Sequence, residues 1–323
     1  MTTKETILAA LTAAKGTAVS GAQMAERAGV SRAAVWKAIC ALRDEGYVID
    51  AVTRGGYTLH ADDGRLTAAA VAAHLHTDGL ALTALPSTDS TNTRVRALAE
   101  DGAPEGTVVI AAAQTAGRGR SGKSFLSPAG TGLYMSILLR PALAMGDSLL
   151  ITTAAAVAVA RAIGRVAGCE TKIKWVNDVY VDERIVCGIL TEAGTSVESG
   201  LLEWLVVGIG LNLTSRPEDW PEELRPIAGS LYPGGPAPVS RAALAGAIAR
   251  ELLGLCPDFD CLDEYRARCF VPGHWVTVCT GAETYAAKAL SIDDAGRLVV
   301  EREGGRQIAL QHGEVSIRPT RTG

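Results

Sequence analysis

Across its 323 residues the sequence carries no overall excess of positive charge: 31 Lys and Arg stand against 35 Asp and Glu, a formal net charge of −4. A nucleic-acid partner held by global charge is excluded, so any such partner has to be met by a local patch. There is also no membrane-length apolar run. The stretch Ile151–Ile163 is alanine-rich, contains Arg161 and is too short to span a bilayer, so it reads as a buried helix. The segment Ile7–Ala14 lacks a signal-like cleavage region, which predicts a cytoplasmic address and no membrane partner. Seven cysteines (Cys40, Cys169, Cys187, Cys256, Cys261, Cys269 and Cys279) are odd in number and form no CxxC pair. Reduced thiols are therefore expected rather than a disulfide framework or a zinc site. At about 100–200 residues per domain, the length allows two or three domains.

The N-terminal sixty residues read as a winged helix-turn-helix. Ser20-Gly21-Ala22-Gln23 matches a capping box, and the helix it starts ends at Gly29. Ser31 caps a second helix on which Val35, Ile39 and Leu42 make one apolar face, while Arg32, Trp36 and Arg43 lie opposite. Tyr47–Val52, a Thr53-Arg54-Gly55-Gly56 turn and Tyr57-Thr58-Leu59 add a strand-turn-strand wing. Winged helices also bind proteins. Here seven Lys and Arg against five Asp and Glu give this segment a positive excess of two, and DNA is the favoured partner. Arg32, Trp36 and Lys37 are the candidates for base edges or phosphates and Arg54 for the backbone or minor groove. Ala61-Asp62-Asp63-Gly64 reads as a linker.

Residues 117–123, Gly-Arg-Gly-Arg-Ser-Gly-Lys, alternate glycine with cations and have no acidic neighbour, as suits a flexible lid over an anion. With Ser124 the stretch also spells GxxxxGKS, the pattern of a P-loop. A P-loop has to run into a helix whose amides hold the phosphates, but Pro128, Gly130 and Gly132 follow, and then a second strand, Leu133–Leu139. The nucleotide loop of that type is accordingly disfavoured. Elsewhere the pattern alternates short strands with alanine-rich helices, predicting a mixed α/β domain. Read alone, Ser90-Thr91-Asn92 is a helix cap, and Lys174, alternating with Lys172 on one face of a strand, is a solvent-facing lysine. Gly188-Ile189-Leu190 and Val206–Leu213 are apolar strands with glycines where a ligand or another backbone can come close.

The order of these pieces carries more than each alone. Ser-Thr-Asn at 90–92, Gln-Thr-Ala-Gly-Arg-Gly-Arg at 114–120, Lys-Trp-Val-Asn-Asp at 174–178, Cys-Gly-Ile-Leu at 187–190 and Gly-Ile-Gly-Leu-Asn at 208–212 together resemble the biotin protein ligase family. With a winged helix in front, they resemble its bifunctional members, the biotin operon repressors. The resemblance implies an α+β protein of three parts: a winged helix-turn-helix over 1–62, a ligase catalytic domain over 66–270 and an SH3-like β-barrel over 271–323. The last fits short strands at Val276–Val278, Tyr285–Ile292, Leu298–Val300 and Val315–Ile317.

It further implies two steps, in which biotin and ATP give biotinoyl-5′-AMP with Mg2+ assisting, and a lysine of a biotin carboxyl-carrier protein then accepts the biotinoyl group. Operator DNA and a homodimer formed with the adenylate bound are the other implied partners. Lys174, Arg118 and Arg120 are carried over as catalytic. Ser90, Thr91, Asn92, Gln114, Gly119 and Gly188, with Arg118, Arg120 and Lys174, are carried over to biotin. Arg120, Lys123, Phe125, Lys174, Asn177 and Asn212 are carried over to ATP, with Asn177 and Asp178 also shaping the turn that aims Lys174. Three positions depart from the family pattern: Val176 replaces a proline and should loosen that turn, Ile185 replaces a lysine unless Arg184 substitutes for it, and Phe125 replaces a common tryptophan. The readings that compete are a repressor without ligase activity, a lipoyl ligase and a P-loop regulator.

Overall fold

The computed structural model describes residues 2–14, 17–44, 49–52, 55–59, 66–75, 80–195, 201–235, 237–256 and 258–317. The chain divides into two compact units, Met1–Ala70 with Ser240–Ala242, and Val71–Val239 with Ala243–Gly323.

In the first unit α1 (Thr3–Ala13), α2 (Gly21–Ala28) and α3 (Arg32–Asp44) are followed by the hairpin of β1 (Ile49–Val52) and β2 (Gly56–Leu59). The Ser20 hydroxyl accepts from the Ala22 amide and the Gln23 side chain accepts from the Ser20 amide, so the capping box forms. Gly29 ends α2 in the left-handed conformation, with φ 62°. Ser31 Oγ accepts from the Ala34 amide and starts α3. Val35, Ile39 and Leu42 are buried against Ile7, Leu11, Met24, Ile49 and Leu59. The wing is tied back to the approach to α2 by two backbone bonds between Val19 and Tyr57, of 2.8 and 2.9 Å. Gly56, at φ 101°, is required there, because a Cβ would run into the Val19 carbonyl.

The second unit begins with α4 (Ala68–Leu75), whose first residues fall in the other unit, then β3 (Leu82–Leu85), α5 (Thr91–Glu100), β4 (Val108–Ala111) and β5 (Gly132–Leu139). After these come α6 (Ser148–Ala167), β6 (Lys172–Lys174), β7 (Asp178–Val181), β8 (Arg184–Thr195) and β9 (Leu202–Asn212). The seven strands make one sheet in the order β3-β4-β5-β9-β8-β7-β6, parallel only between β3 and β4. Every residue of β5 is buried, which is why Leu133–Leu139 is a continuous apolar run instead of an alternating one. After Ser124 the chain runs through residues 125–131 without a helix into β5, so the helix that a P-loop requires does not follow the loop. By length and composition α6 is apolar enough to cross a bilayer, being longer than its apolar stretch, but twelve residues from Ile151 to Ile163 are buried within the protein.

Next come α7 (Arg241–Leu255) and α8 (Leu262–Arg268). Glu264 of α8 bonds Arg161 of α6 at 2.6 Å and Arg268 at 2.9 Å. The chain closes with β10 (Trp275–Cys279), β11 (Thr284–Ile292), β12 (Leu298–Arg302), β13 (Gln307–Leu310) and β14 (Glu314–Ile317), an antiparallel sheet ordered β13-β12-β11-β10-β14. Among the described residues the two end strands do not pair, so the ladder seen is an open sheet rather than a closed barrel.

Candidate functional site

The central sheet, the loop 117–123 and the first residues of β14, Glu314–Ser316, surround a cleft of about 790 Å³. One wall is the N-terminus of α5. Ser90 occupies its N-cap position but makes no side-chain cap bond. Gln114 Oε1 instead accepts from the Thr91 amide at 2.8 Å and from its hydroxyl at 3.1 Å, while Gln114 Nε2 donates to Ser127 at 2.8 Å. Ser136, buried in the middle of β5, lies 2.7 Å from Thr91 Oγ1 and 2.6 Å from Asn92 Oδ1. Ser90, Thr91 and Asn92 are all buried, and the bonds of Thr91, Asn92, Gln114 and Ser136 to one another and to their neighbours fix the geometry of this polar corner.

The floor explains the glycines of β8 and β9. A Cβ on Gly208 would collide with Asn92 Oδ1, and one on Gly210 would meet the Phe125 ring at 2.5 Å. At Gly188 the same ring stands 3.4 Å away. The close approach expected at these glycines is thus made by two side chains of the protein itself. Phe125 also meets Tyr134 edge-on, with ring centroids 6.4 Å apart.

The loop is a closed turn. Arg118 and Ser124 form a bridge, the Gly119 amide donates to the Lys123 carbonyl at 2.7 Å, and Ser121 takes φ 54°. Its cations all have acceptors. Arg118 Nη2 lies 2.9 Å from Glu192 Oε1, Arg120 donates to Asn177 Oδ1 at 2.8 Å and to the Gly313 carbonyl at 3.3 Å, and Lys123 Nζ lies 2.6 Å from Glu314 Oε2. Lys123 holds the Glu314 carboxyl below the usual glutamate range.

Lys174 ends β6 opposite Asp178 in the β6–β7 hairpin, and both line the cleft. Burial pushes the Asp178 carboxyl up, against the opposing pull of Lys174 and Arg120. The turn between them is braced by bonds of the residues around Val176. The Tyr265 hydroxyl donates to the Val176 carbonyl at 3.2 Å, Trp175 Nε1 donates to the Gly296 carbonyl at 3.0 Å, and Asn177 Nδ2 donates to the Ile189 carbonyl at 3.0 Å. The Trp175–Val176 peptide is cis. Ile185 lines the cleft, but Arg184 does not substitute for a lysine there: its guanidinium donates to the Arg225 carbonyl at 3.0 Å, outside the lining.

One cleft therefore gathers Ser90, Thr91, Asn92, Gln114, Arg118, Gly119, Arg120, Lys123, Phe125, Lys174, Asn177, Gly188 and Asn212. Sequence reasoning missed three contributors. Glu192 and Ser136 bind residues already singled out. Trp220, Pro221, Leu224 and Ala228 also line the cleft, on a segment stapled to β8 by bonds of 2.9 Å between Ile185 and both Ile227 and Gly229. Glu192 had a signal, since it falls on the same face of β8 as Gly188 by the two-residue period. In the first unit, Arg32, Trp36 and Lys37 are exposed on α3, Trp36 by 57%. Arg54 lies outside the described residues.

Three family models match the chain: an HTH domain over residues 3–58, the Biotin/lipoate A/B protein ligase family over 84–212 and the Biotin protein ligase C terminal domain over 273–318. The "Bifunctional ligase/repressor BirA" of Bacillus subtilis (strain 168) is 36% identical over 301 residues, covering 89% of this chain and 90% of that protein. The "Biotin--[acetyl-CoA-carboxylase] ligase" of Mycobacterium tuberculosis is 34% identical over 248 residues, covering 72% of this chain and 88% of the relative. The structure of biotin protein ligase from Aquifex aeolicus, in complex with biotin and ATP, superposes with TM-score 0.60 at 28% identity, over 74% of this chain and 98% of that one. A polar corner, a paired cationic loop and a strand-end lysine facing one cleft, behind a helix-turn-helix, agree with these likenesses along nearly the whole sequence, and the chain belongs to the biotin protein ligase family in its bifunctional ligase/repressor form.

Proposed function

We propose that this protein forms biotinoyl-5′-AMP from biotin and ATP, transfers the biotinoyl group to a carrier-protein lysine, and uses the same ligand to control its N-terminal DNA-binding module. The observation that carries the enzymatic reading is that Lys174, Arg120 and Lys123 line the same cleft as the Ser90–Asn92 and Gln114 corner.

In the first step a biotin carboxylate oxygen bonds to the α-phosphorus of ATP while the α–β bridging P–O bond breaks and pyrophosphate leaves. Two anions meet, so the rate depends on positioning and on cations placed where charge develops. Lys174, held at the end of β6 by a braced turn, is assigned to the ground between the carboxylate and the α-phosphate. Arg120 and Lys123 are assigned to the phosphates. Lys123 reaches them by exchanging Glu314, and an ion pair this exposed, at 65% and 40%, contributes only about 0–1 kcal/mol to resist that exchange. Among the described residues no group of three or more His, Cys, Asp or Glu could hold a metal ion, which fits Mg2+ carried in by the triphosphate itself. Bound there it would neutralise phosphate charge. In the second step the carrier lysine's neutral amine attacks the anhydride carbonyl, the carbonyl C–O bond to AMP breaks, and the amine proton passes to solvent. The turn 117–123 over the cleft limits water's access to the anhydride meanwhile.

The polar corner suits the ureido ring, Gly188 and the apolar strands beside it suit the apolar body of biotin, and the Phe125 ring is assigned to adenine. Asn212 and the Trp220–Ala228 segment are assigned to the nucleotide end. The reading places the protein in the cytoplasm, as a homodimer when adenylate is bound, without a membrane partner. The test is pyrophosphate–ATP exchange with one acid supplied at a time. Biotin-dependent exchange is expected. Exchange dependent on lipoate, or on no acid, replaces this reading.

A further inference from the structure

Glu192 belongs to no motif in the sequence, yet its single carboxylate joins two parts of the cleft. Oε1 lies 2.9 Å from Arg118 Nη2 and Oε2 lies 2.8 Å from Asn92 Nδ2, a residue 100 positions away. Its side chain is 18% exposed, against 44% for Arg118, so the carboxylate sits on the protected side of the pair. Asn92 is itself fixed from the other side by Ser136 and by the Leu190 carbonyl, 3.2 Å from its Nδ2. Backbone bonds close the loop that carries Arg118 on itself and tie its root to Thr88 and Asp89. How its tip sits over the cleft is then set by side-chain anchors. Of these, Arg120 and Lys123 bind groups at the C-terminal sheet and the β6–β7 turn, and Arg118 alone binds the polar corner.

We propose that Glu192 is a positioning residue for the reaction of the preceding subsection, on which this inference rests. Its carboxylate locks the first half of the loop to the N-terminus of α5 and so shapes the pocket for the bicyclic end of the acid. Two consequences follow. Arg118 pairs with a protected carboxylate that Asn92 also holds, whereas the partner of Lys123 is exposed and open to exchange, so Arg118 acts in shaping the acid pocket and not in neutralising phosphate. Loss of Glu192 should therefore weaken use of the acid while leaving use of ATP almost unchanged, a split that a general loss of packing does not produce.

The test uses the full chain in biotin-dependent pyrophosphate exchange, with Glu192→Ala, Glu192→Gln, Arg118→Ala and the double variant Arg118→Ala/Glu192→Ala. Expected for Glu192→Ala is a rise of about tenfold or more in the biotin KM, with the ATP KM within about twofold of wild type. Glu192→Gln keeps the shape but only one acceptor oxygen, and should fall between the two; it carries the test if Glu192→Ala does not fold. The double variant should lose little beyond either single change, because both break one link. A biotin KM within about twofold of wild type in both Glu192 variants, or fully multiplicative losses in the double variant, overturns the inference while leaving the ligase reading intact. A wild-type chain with no biotin-dependent exchange overturns the ligase reading and this inference together.

Discussion

At the scale of single residues, the site is built from side chains whose charge is already spoken for, and this separates their roles. Arg118, Arg120 and Lys123 each have a carboxylate, amide or carbonyl acceptor, whereas Lys174 faces the cleft from a strand end that the Tyr265 and Trp175 bonds hold in place. Lys174→Ala is expected to lower single-turnover adenylate formation by about a thousandfold, the scale of removing a charge aimed at a transition state. Normal single-turnover rates in that variant would remove Lys174 from the chemistry. Arg120→Gly acts differently, since it frees the loop from Asn177 and Gly313 but leaves Lys174 aimed. It should release the adenylate, visible as biotin on bystander lysines in a mixture with an unrelated protein, and wild-type bystander labelling would take Arg120 out of the lid. Ile185 offers a gain-of-function counterpart. It lines the cleft where the family pattern has a lysine, and Arg184 is engaged elsewhere, so Ile185→Lys should lower the ATP KM several-fold. An unchanged or raised KM would show that the triphosphate does not pass beside β8.

At the scale of elements, α8 clamps α6 and the turn that bears Lys174. Burial raises the Glu264 carboxyl, but the hydrogen bonds from Arg161 and Arg268 outweigh it and its pKa stands below the usual value. A carboxylate depressed in the folded state contributes stability above its unfolded pKa, and that stability is lost as pH falls through the folded one. Glu264→Gln is therefore expected to lower the melting temperature at neutral pH and to flatten the acid limb of the stability profile below about pH 4–5. An acid limb identical to that of wild type would mean that the clamp contributes nothing by charge. What could be read from sequence at this scale was whatever local pattern decides. The Ser20–Gln23 cap, the Gly29 stop, the apolar stripe of α3 and the runs of β5 and β9 all form as their residues dictate. The first helix escaped notice because Ile7 and Leu11 are its only deeply buried residues with described side chains, too short a period to announce a helix. β13, four residues with a single buried one, escaped for a like reason. The Trp220–Ala228 wall and the Glu192 link depend on partners far away in sequence, and no local propensity encodes them.

At the scale of the whole molecule, two functions share one chain, and the charge of the DNA-binding unit limits how they can be joined. Its first sixty residues hold only two more cations than anions, and three candidate contacts, Arg32, Trp36 and Lys37, are exposed on α3. Few phosphate contacts make one half-site weak and salt-sensitive, so operator affinity has to come from two modules on a palindrome. Ligand control then requires that the adenylate favour the two-module state, because a ligand shifts an equilibrium only through its different affinity for the two sides. The cleft offers the means. On the proposed reading, Lys123 and Arg120, now on Glu314 and the Gly313 carbonyl, would exchange these acceptors for phosphate when the site fills, and the surface of the 117–123 turn would change with them. Biotin with ATP is therefore expected to raise the dimer population in sedimentation and to tighten operator binding in parallel, with the effect shrinking as salt rises. Deleting residues 1–60 should abolish DNA binding and leave adenylation largely intact. Equal dimer populations and equal operator affinity with and without the adenylate would uncouple the two functions, and the N-terminal unit would then bind its partner independently of biotin.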